Sequence, residues 1–365
     1  TGGSERVLSS LASDLSRDGH RVAIITLMPA GEAPYYPLAP RVDVAGTGDL
    51  GAATSLGRPT DILRASWRVR RCLQARAPGL VLGFTTLGSM LAVLASRGLG
   101  LPVIAAERVD PQGHGRHIGR LRASVRDALF ARADHVVVQT RRARSALSWL
   151  ADNRVSCIAN PVYPAARRAN PDRAGPDGRF LLLGVGRLDP QKGFDLLVSA
   201  FTRLAERFPD WDLVIHGDGP ERSSLEALAR HAPAGRIRLP GVTADIEGAL
   251  TGAHAFAFPS RYEGFPNALA EAMAASLPTI GYLGVSGVED LIVPAPREAA
   301  TGLLADLTAP IDSLADGLAL LMADGGLRCR LGDRARQHVA AFTPQLHYEQ
   351  WQRLLTRVAQ SHSGH

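Results

Sequence analysis

The sequence predicts an α/β protein with two Rossmann-like domains that face each other across a cleft. Short apolar segments alternate with amphipathic segments along most of the chain, a pattern typical of repeated βα units with parallel sheets. The alternation breaks at residues 161–178, where Pro, Arg, Ala, Asp and Gly dominate without periodicity, which indicates a linker. A length of 365 residues suffices for two domains with separate cores.

The first predicted domain, residues 1–160, contains four strands and four helices. The strands are apolar runs at residues 22–27, 80–84, 102–106 and 135–139. The helices are amphipathic stretches at residues 5–17, 62–75, 87–95 and 120–131. Residues 1–5 have the composition of a glycine turn that follows a strand. We therefore expect the natural gene product to carry an apolar strand upstream of them, since its absence would expose neighbouring strand edges.

The second predicted domain, residues 179–344, continues the alternation. Its strands are predicted at residues 180–184, 212–216, 236–239, 255–259 and 279–282. Its helices are predicted at residues 194–207, 222–231, 246–251, 267–275 and near 311–322. Open α/β sheets of this kind bind ligands outside the carboxyl ends of their strands.

Charge and cysteine content narrow the class of protein. Residues 1–160 carry 21 arginines against 12 acidic residues, a net charge of +9, whereas residues 161–365 carry a net charge of −3. The basic half predicts that the partner is an anionic membrane surface or an acidic lipid-linked substrate. Because the sequence carries no nucleic-acid-binding motif, we expect no nucleic acid as partner. Arginines on ordinary solvated faces are the alternative. Three scattered cysteines and no apolar run of ~20 residues predict a cytoplasmic protein. The basic half predicts that it is peripheral on the inner face of the plasma membrane.

Lys192 is the only lysine in the chain, among 41 basic residues. An ammonium group is a compact point charge, whereas a guanidinium group is a broad planar fork. A lysine at this one position therefore indicates a site that needs a point charge, with chance survival of one lysine as the alternative.

The segment from Phe258 to Glu271 carries the strongest functional pattern. Its strand ends in a loop that contains Glu263, and Pro266 opens the following helix, because proline suits the first helical positions. The N–H groups and the positive dipole end at such a helix start can bind a phosphate. Glu263 and Glu271 can both present carboxylates to sugar or ribose hydroxyls. The alternative is that one is a loop charge and the other a partner of the helix dipole.

The segment from Leu181 to Phe194 carries a second pattern. An apolar strand leads into a Gly-Arg turn, and Lys192 with the next glycine opens a helix. Arg187 and Lys192 therefore project from one strand–helix junction, which suits them to clamp a diphosphate. The residue order of a Walker A loop is missing, as is the third glycine of a dinucleotide-binding fingerprint.

Together the two segments resemble glycosyltransferase family 4, which comprises retaining enzymes of the GT-B fold. The resemblance covers nearly the whole chain, from Gly2 and Gly3 to the last helix. Its most specific parts are Gly186-Arg187 with Lys192-Gly193, and the pair Glu263 and Glu271 separated by seven residues. It also implies that the C-terminal helix, residues 345–365, completes the first domain.

The resemblance implies roles for particular residues. Arg187 and Lys192 would bind the donor diphosphate, Glu263 would meet the donor sugar, and Glu271 would bind the ribose hydroxyls. Residues Arg187, Lys192 and Glu263, together with Arg108, are the implied catalytic residues. The remaining implied donor-binding residues are Gly2, Gly3, Leu239, Gly241, Val242, Gly264, Phe265, Pro266, Asn267, Ala268 and Leu269.

Glu107-Arg108 departs from the commoner family pattern, which places a histidine after the strand at residues 102–106. It looks like the branch of the family with Ser-Glu-Arg-Asn there, which includes transferases that build lipid-linked glycans and surface polysaccharides. His114 and His117 lie close by in the sequence and are alternatives for the missing histidine, although histidines in such a place are more often loop surface.

The resemblance implies transfer with retention and without a metal ion. Arg187, Lys192 and the helix start would stabilise charge on the departing diphosphate, while the incoming hydroxyl attacks from the same face and gives its proton to the leaving phosphate oxygen. We expect no Asp-x-Asp metal motif and no cofactor.

We predict a transferase that moves a hexose or N-acetylhexosamine from a nucleotide sugar, UDP-linked, to a glycan or lipid-linked acceptor. One alternative is a nucleotide-sugar epimerase, which shares the GT-B architecture and would release UDP and a rearranged sugar without an acceptor. The other is a non-catalytic nucleotide-sugar-binding protein.

Overall fold

The computed structural model describes residues 3–28, 34–47, 59–111, 119–294 and 299–363. The chain divides into two compact units, one made of Thr1–Pro161 and Pro344–His365 and the other of Val162–Thr343. Every strand pair among the described residues is parallel. The prediction of an α/β protein with two Rossmann-like domains is therefore confirmed.

The first unit contains two parallel sheets. Its strands are β1 (Ala23–Thr26), β2 (Asp43–Gly46), β3 (Val81–Phe84), β4 (Val103–Ala106), β5 (His135–Val138) and β6 (Val155–Cys157). Its helices before residue 161 are α1 (Gly3–Arg17), α2 (Pro59–Arg76), α3 (Thr85–Ser96), α4 (Arg120–Phe130) and α5 (Arg141–Ala146). Strand β1 pairs with β2, and β3, β4, β5 and β6 form the second sheet in that order. All residues of β4 and β5 are buried, as expected of central parallel strands covered on both faces.

The second unit has one sheet of six strands. Its strands are β7 (Phe180–Val185), β8 (Trp211–His216), β9 (Ile237–Gly241), β10 (Ala255–Phe258), β11 (Thr279–Tyr282) and β12 (Leu303–Ala305). Its helices are α6 (Phe194–Leu204), α7 (Arg222–Ala229), α8 (Ile246–Thr251), α9 (Asn267–Ala274), α10 (Val288–Leu291), α11 (Pro310–Ala323) and α12 (Gly325–Val339). The strand order is β12-β11-β10-β7-β8-β9. Strands β8 and β9 are added on one side of β7, and β10, β11 and β12 are added on its other side. The topological switch point therefore lies between β7 and β10.

The last helix, α13 (Pro344–Ser363), belongs to the first unit. Its Trp351 is fully buried in a cluster with Leu11 of α1, Ile104 of β4 and Val137 of β5. The hydroxyl of Tyr348 donates to Asp18 at 2.5 Å. No helix in the described residues is long and apolar enough to cross a lipid bilayer.

Most of the predicted linker, residues 161–178, lies in the second unit. The Ala169 N–H donates to the Ala275 carbonyl at 2.8 Å, and Arg328 Nε donates to the Pro171 carbonyl at 2.6 Å. The structure therefore differs from the sequence interpretation here. Backbone groups of this segment have partners in the second unit, so its irregular composition reflects an irregular packed segment.

Candidate active site

Two loops meet at the switch point of the second unit, at the carboxyl ends of β7 and β10. The Nζ of Lys192, from the loop after β7, donates to Oε1 of Glu263, from the loop after β10, at 2.5 Å. Their side chains are 20% and 9% exposed, and the Lys192 Nζ lies 5.4 Å from the centre of the Phe258 ring. Because β7 and β10 are neighbours in the sheet, the loops that follow them must lie side by side.

The two loops are joined by further hydrogen bonds. Gln191 Nε2 donates to the Tyr262 carbonyl at 2.9 Å, and the Arg261 N–H donates to the Gln191 carbonyl at 2.8 Å. The Arg261 guanidinium donates to the Pro190 carbonyl at 2.7 Å and to both carboxylate oxygens of Asp195 at 2.9 and 2.6 Å. The bidentate Arg261–Asp195 pair fixes geometry as well as adding energy. The two loops that carry Lys192 and Glu263 are therefore held together by several hydrogen bonds.

Glycines allow the backbone to approach closely around this site. Gly193 has φ +64°, and a Cβ there would lie 2.2 Å from the Pro259 carbonyl oxygen. A Cβ at Gly217, in the loop after β8, would lie 1.8 Å from the Gly186 carbonyl oxygen, and one at Gly219 would lie 2.4 Å from that of Leu188. A side chain at any of the three would push apart loops that form the site.

Arg187 is the exposed cation of the site. Its side chain is 69% exposed, and its Nε donates to Oδ2 of Asp189, which is 11% exposed. Lys192 and Arg187 thus offer one partly covered and one open positive charge at a single strand–helix junction.

Comparison with known proteins identifies the family. The family described as glycosyl transferases group 1 matches residues 167–338, and the glycosyl transferase 4-like domain matches residues 2–161. The chain belongs to the family 4 type of glycosyltransferases. Its fold is therefore the GT-B fold, which confirms the resemblance inferred from the sequence.

The chain is also similar to individual named proteins and to solved structures. The chain is 32% identical over 265 residues to the GDP-mannose-dependent alpha-mannosyltransferase of Mycolicibacterium smegmatis, an alignment that covers 68% of this chain and 65% of that protein. It is 25% identical over 394 residues to an exopolysaccharide phosphotransferase of Streptomyces coelicolor, covering 98% of this chain but only 39% of that longer protein. The crystal structure of HepE from Anabaena, in complex with UDP and glucose, superposes with a TM-score of 0.75 at 18% identity and covers 98% and 96% of the two chains.

The helix start expected to meet the donor phosphate follows the Glu263 loop directly in this glycosyltransferase. Gly264, Phe265 and Pro266 are buried, and the Phe265 ring lies 6.1 Å from that of Phe342. Within α9, Asn267, Ala268 and Glu271 are half-buried, whereas Leu269 is fully buried. The side chain of Leu269 therefore belongs to the core, and a donor would meet only its backbone.

Three of the implied donor-binding residues, Leu239, Gly241 and Val242, lie at the end of β9. The Leu239 carbonyl accepts from Arg222 at 2.8 Å, and the Gly241 carbonyl accepts from the Gly217 N–H at 3.0 Å. Val242 is 79% exposed. Because β9 is the edge strand of the sheet, this stretch has an open side.

Of the implied residues in the first unit, Gly2 lies outside the described residues and Gly3 begins α1. Arg108 is 4% exposed: its guanidinium donates to Asn160 Oδ1 and lies 4.4 Å from the Phe84 ring centre. Burial lowers the pKa of Arg108 to about 9, against the opposing effect of the Glu107 charge. Arg108 therefore points into its own unit, a direction that no local sequence pattern indicated. His114 and His117 lie outside the described residues.

Glu107 is as deeply buried as its neighbour. Its Oε1 accepts from the Thr86 hydroxyl at 2.7 Å and from the N–H of Arg108 at 2.9 Å, and burial raises the pKa of its carboxyl group. The Glu107-Arg108 pair is thus part of a buried polar cluster at the carboxyl ends of β3, β4 and β5.

One expectation about metal motifs was wrong. Asp210-Trp211-Asp212 has the Asp-x-Asp spacing, which the sequence interpretation overlooked. Asp212 is buried at the start of β8 and accepts from Arg179 at 2.6 Å and from Arg236 at 2.9 Å. These cations hold the pKa of Asp212 below its usual value in spite of burial, which acts in the opposite direction. The triplet lies at the amino end of the strand, opposite the edge that carries Lys192 and Glu263.

Sequence reasoning missed Asp189, Arg261, Gly217 and Gly219 as residues that shape the site. For the glycines a signal existed, because Gly-Asp-Gly directly after an apolar strand indicates a close backbone approach. Asp189 before Pro190 also has the pattern of a helix cap. The role of Arg261 depends on the pairing of β7 with β10, which no local pattern specifies.

Proposed function

We propose that the chain transfers a hexose or N-acetylhexosamine, with retention, from a UDP-sugar to a glycan or lipid-linked acceptor. The observation that carries the proposal is the Lys192–Glu263 contact at the switch point, with Arg187 at the same junction. Cations suited to a diphosphate and a carboxylate suited to sugar hydroxyls stand together where α/β sheets bind ligands. The UDP bound to the structurally similar Anabaena protein supports the choice of base.

In this proposal the protein supplies the charge that a metal ion would otherwise supply. As the bond between sugar and diphosphate breaks, negative charge grows on the leaving phosphate oxygen, and Arg187, Lys192 and the first turn of α9 stabilise it. Glu263 binds sugar hydroxyls after Lys192 turns to the phosphate. The acceptor hydroxyl attacks from the face that the diphosphate leaves, and its proton passes to the departing oxygen. Activity should therefore survive EDTA.

The first test is a thermal-shift panel of UDP-glucose, UDP-galactose, UDP-N-acetylglucosamine and GDP-mannose. A donor present at ~100 times its dissociation constant should stabilise the protein by ~2.7 kcal/mol. The shift should vanish in Lys192→Ala and persist in Arg203→Ala, because Arg203 pairs with Asp312 on an exposed surface. No shift with any donor in the wild-type protein would contradict the proposal.

The second test separates a transferase from the alternatives. The protein is incubated with the bound donor, with and without a panel of glycan and lipid-linked acceptors, and the products are followed by NMR. A transferase forms a new glycosidic bond with the donor's anomeric configuration only when acceptor is present. A rearranged sugar without acceptor would indicate an epimerase, and binding without turnover in any arm would indicate a binding protein.

Attachment to the cytoplasmic face of a membrane is a further part of the proposal. Helix α3 contacts both α2 and α4 in the first unit, so the three helices form one layer. Leu63 and Trp67 on α2 are 65% and 58% exposed, and Leu121 and Val125 on α4 are 79% and 45% exposed. Arginines accompany both pairs, and Arg71 lies 4.9 Å from the Trp67 ring centre. Exposed apolar residues surrounded by arginines favour binding to an anionic lipid surface.

A further inference from the structure

We propose that Asp189 is a positioning residue that holds both cations of the site, Arg187 and Lys192, in place before a donor binds. The inference rests on the proposed function, because it takes these two side chains as the ones that meet the diphosphate. The carboxylate of Asp189 is negative and would itself repel a diphosphate. Its contribution therefore acts through Arg187 and Lys192.

One bond of Asp189 fixes the backbone of Lys192. Its Oδ1 accepts from the Lys192 N–H at 3.2 Å, which makes Asp189 the cap of the short 3₁₀ turn Pro190–Lys192. Proline at the first position fixes φ for such a turn. The turn has only three residues, and the Lys192 N–H also donates to the Asp189 carbonyl at 3.0 Å, so the side chain and the backbone of Asp189 both contribute to its order. Lys192 is the last of the three, and a shift of the turn would move Nζ away from Glu263.

The other bond of Asp189 fixes the side chain of Arg187. The Arg187 Nε donates to Oδ2, and the described part of the chain offers this guanidinium no other hydrogen bond. At 69% exposure, Arg187 would otherwise sample many rotamers, and ordering it on binding would lower affinity. The carboxylate therefore limits the conformations of the Arg187 side chain and leaves its guanidinium accessible to a ligand.

Asp189 can hold two residues because its own backbone is anchored. Its N–H donates to the Arg187 carbonyl at 2.9 Å. Leu188, the preceding residue, is fully buried, its N–H donates to the Asp218 carbonyl, and its carbonyl accepts from the Glu221 N–H, both at 2.9 Å. The carboxylate thus projects from a fixed point between the two cations.

Three substitutions separate the two bonds. Asp189→Asn and Asp189→Ser keep an oxygen that caps the turn, but neither presents a second carboxylate oxygen to Arg187. Asp189→Ala removes both bonds. We expect UDP affinity, measured by calorimetry on the full chain, to fall about fivefold in the first two variants and about 25-fold in Asp189→Ala, since loss of a cap, or of an ion pair with an exposed partner, each corresponds to about a fivefold effect.

A double-mutant cycle supplies a readout that a merely structural role would not move. In an Arg187→Ala background, Asp189→Asn should have no further effect on UDP affinity, whereas Asp189→Ala should still weaken it about fivefold through Lys192. Steady-state kinetics should show the change in the donor KM, with kcat altered less. Asp324 provides the matched control, because it caps α12 by accepting from the Leu327 N–H at 2.8 Å and also pairs with Arg330. Asp324→Asn and Asp324→Ala should leave UDP affinity unchanged.

The outcomes distinguish this inference from the proposed function. If Arg187→Ala and Lys192→Ala themselves leave UDP affinity unchanged, the proposed diphosphate site is wrong and the inference falls with it. If those variants weaken UDP binding but Asp189→Ala does not, only the inference is wrong. Tighter UDP binding by Asp189→Asn would show that the carboxylate merely repels the diphosphate, which also overturns it. Should Asp189→Ala fail to fold, the Asn and Ser variants with the Arg187 cycle still decide.

Discussion

The ammonium of Lys192 donates to the carboxylate of Glu263 at 2.5 Å, across two loops that are 71 residues apart in sequence. Each group is the other's partner while no donor is bound. A diphosphate that takes Lys192 must therefore release Glu263, and a released carboxylate in a largely buried position needs hydroxyl donors. If the donor binds as proposed, this one contact couples binding of its phosphate to binding of its sugar.

Lys192→Arg should reduce kcat/KM at least ~10-fold, although every other basic residue of the chain is arginine. The lysine stem passes beside Gly186, where a Cβ added to the glycine would lie 3.5 Å from the lysine Cδ. A planar fork is broader than the space that an ammonium occupies between Glu263 and Phe258. Steady-state kinetics give the answer, with Arg203→Lys as the exposed control that should keep wild-type rates. Equal rates for Lys192→Arg and wild type would refute the point-charge explanation.

Gly193→Ala should lower the thermal unfolding midpoint by more than Gly235→Ala does. Both glycines have positive φ, +64° and +78°, so both substitutions carry the backbone strain of ~1 kcal/mol. Only at Gly193 would the new Cβ meet a backbone atom, the Pro259 oxygen, whereas Gly235 has no atom within 4 Å. Scanning calorimetry of the two variants isolates the clash, and equal midpoints would show that the loops move apart at no cost.

Stability should fall as pH decreases from 7.5 to 5.5, partly because of His347. Its Nδ1 donates to the Ala159 carbonyl at 2.7 Å, and burial lowers its pKa from 6.5 to about 4. The unfolded chain thus binds a proton below pH 6.5 that the folded chain rejects until about pH 4. The stabilisation is complete above pH 6.5 and falls with pH, by about 1 kcal/mol at pH 5.5.

The variant His347→Gln keeps an amide donor for Ala159 but has no titrating ring. Its unfolding midpoint should change less between pH 7.5 and 5.5 than that of the wild-type chain. His135, whose pKa burial also lowers to about 4, remains in both proteins and accounts for a residual slope. Identical slopes for variant and wild type would rule out His347 as a source.

The 365-residue chain should float with anionic vesicles more than with neutral ones, and less as salt increases. Replacement of Leu63 and Trp67 by serine should weaken flotation severalfold, because both side chains are exposed on α2. Leu320→Ser, which removes an exposed leucine of the second unit, should have no effect. Equal flotation with both vesicle types would contradict the membrane proposal, and the +9 charge of residues 1–160 would then be ordinary surface charge.

The sequence predicted the buried strands well but only three of the six edge strands, β1, β3 and β9. Strands β4, β5, β7, β8 and β10 were recognised within a residue or two, because parallel strands covered on both faces are continuous apolar runs. Strands β2, β6 and β12 were missed. Each lies at the edge of its sheet, has three or four residues and is partly exposed, so its composition hardly differs from that of a loop.

The candidate site was predicted as two separate pieces. Local patterns placed Arg187 and Lys192 at one junction and Glu263 in another loop, but their contact follows from strand order. The pairing of Ala255 with Leu182 brings the loops together, and a single sequence does not specify which strands pair. Arg108 shows a second limit of sequence-based prediction. The resemblance implied a functional position for it, but the direction of its side chain depends on Phe84 and Asn160, which are distant in sequence.

The return of α13 to the first unit has a consequence for synthesis on the ribosome. Trp351, Leu354 and Val358 close a cluster with Leu11 and Ile104, so this one of the two core clusters of the first unit stays open until α13 emerges. The second unit, Val162–Thr343, is continuous and has its own sheet. The half translated later can thus complete its core by itself, whereas the first unit keeps apolar surface of α1, β4 and β5 uncovered until α13 is available.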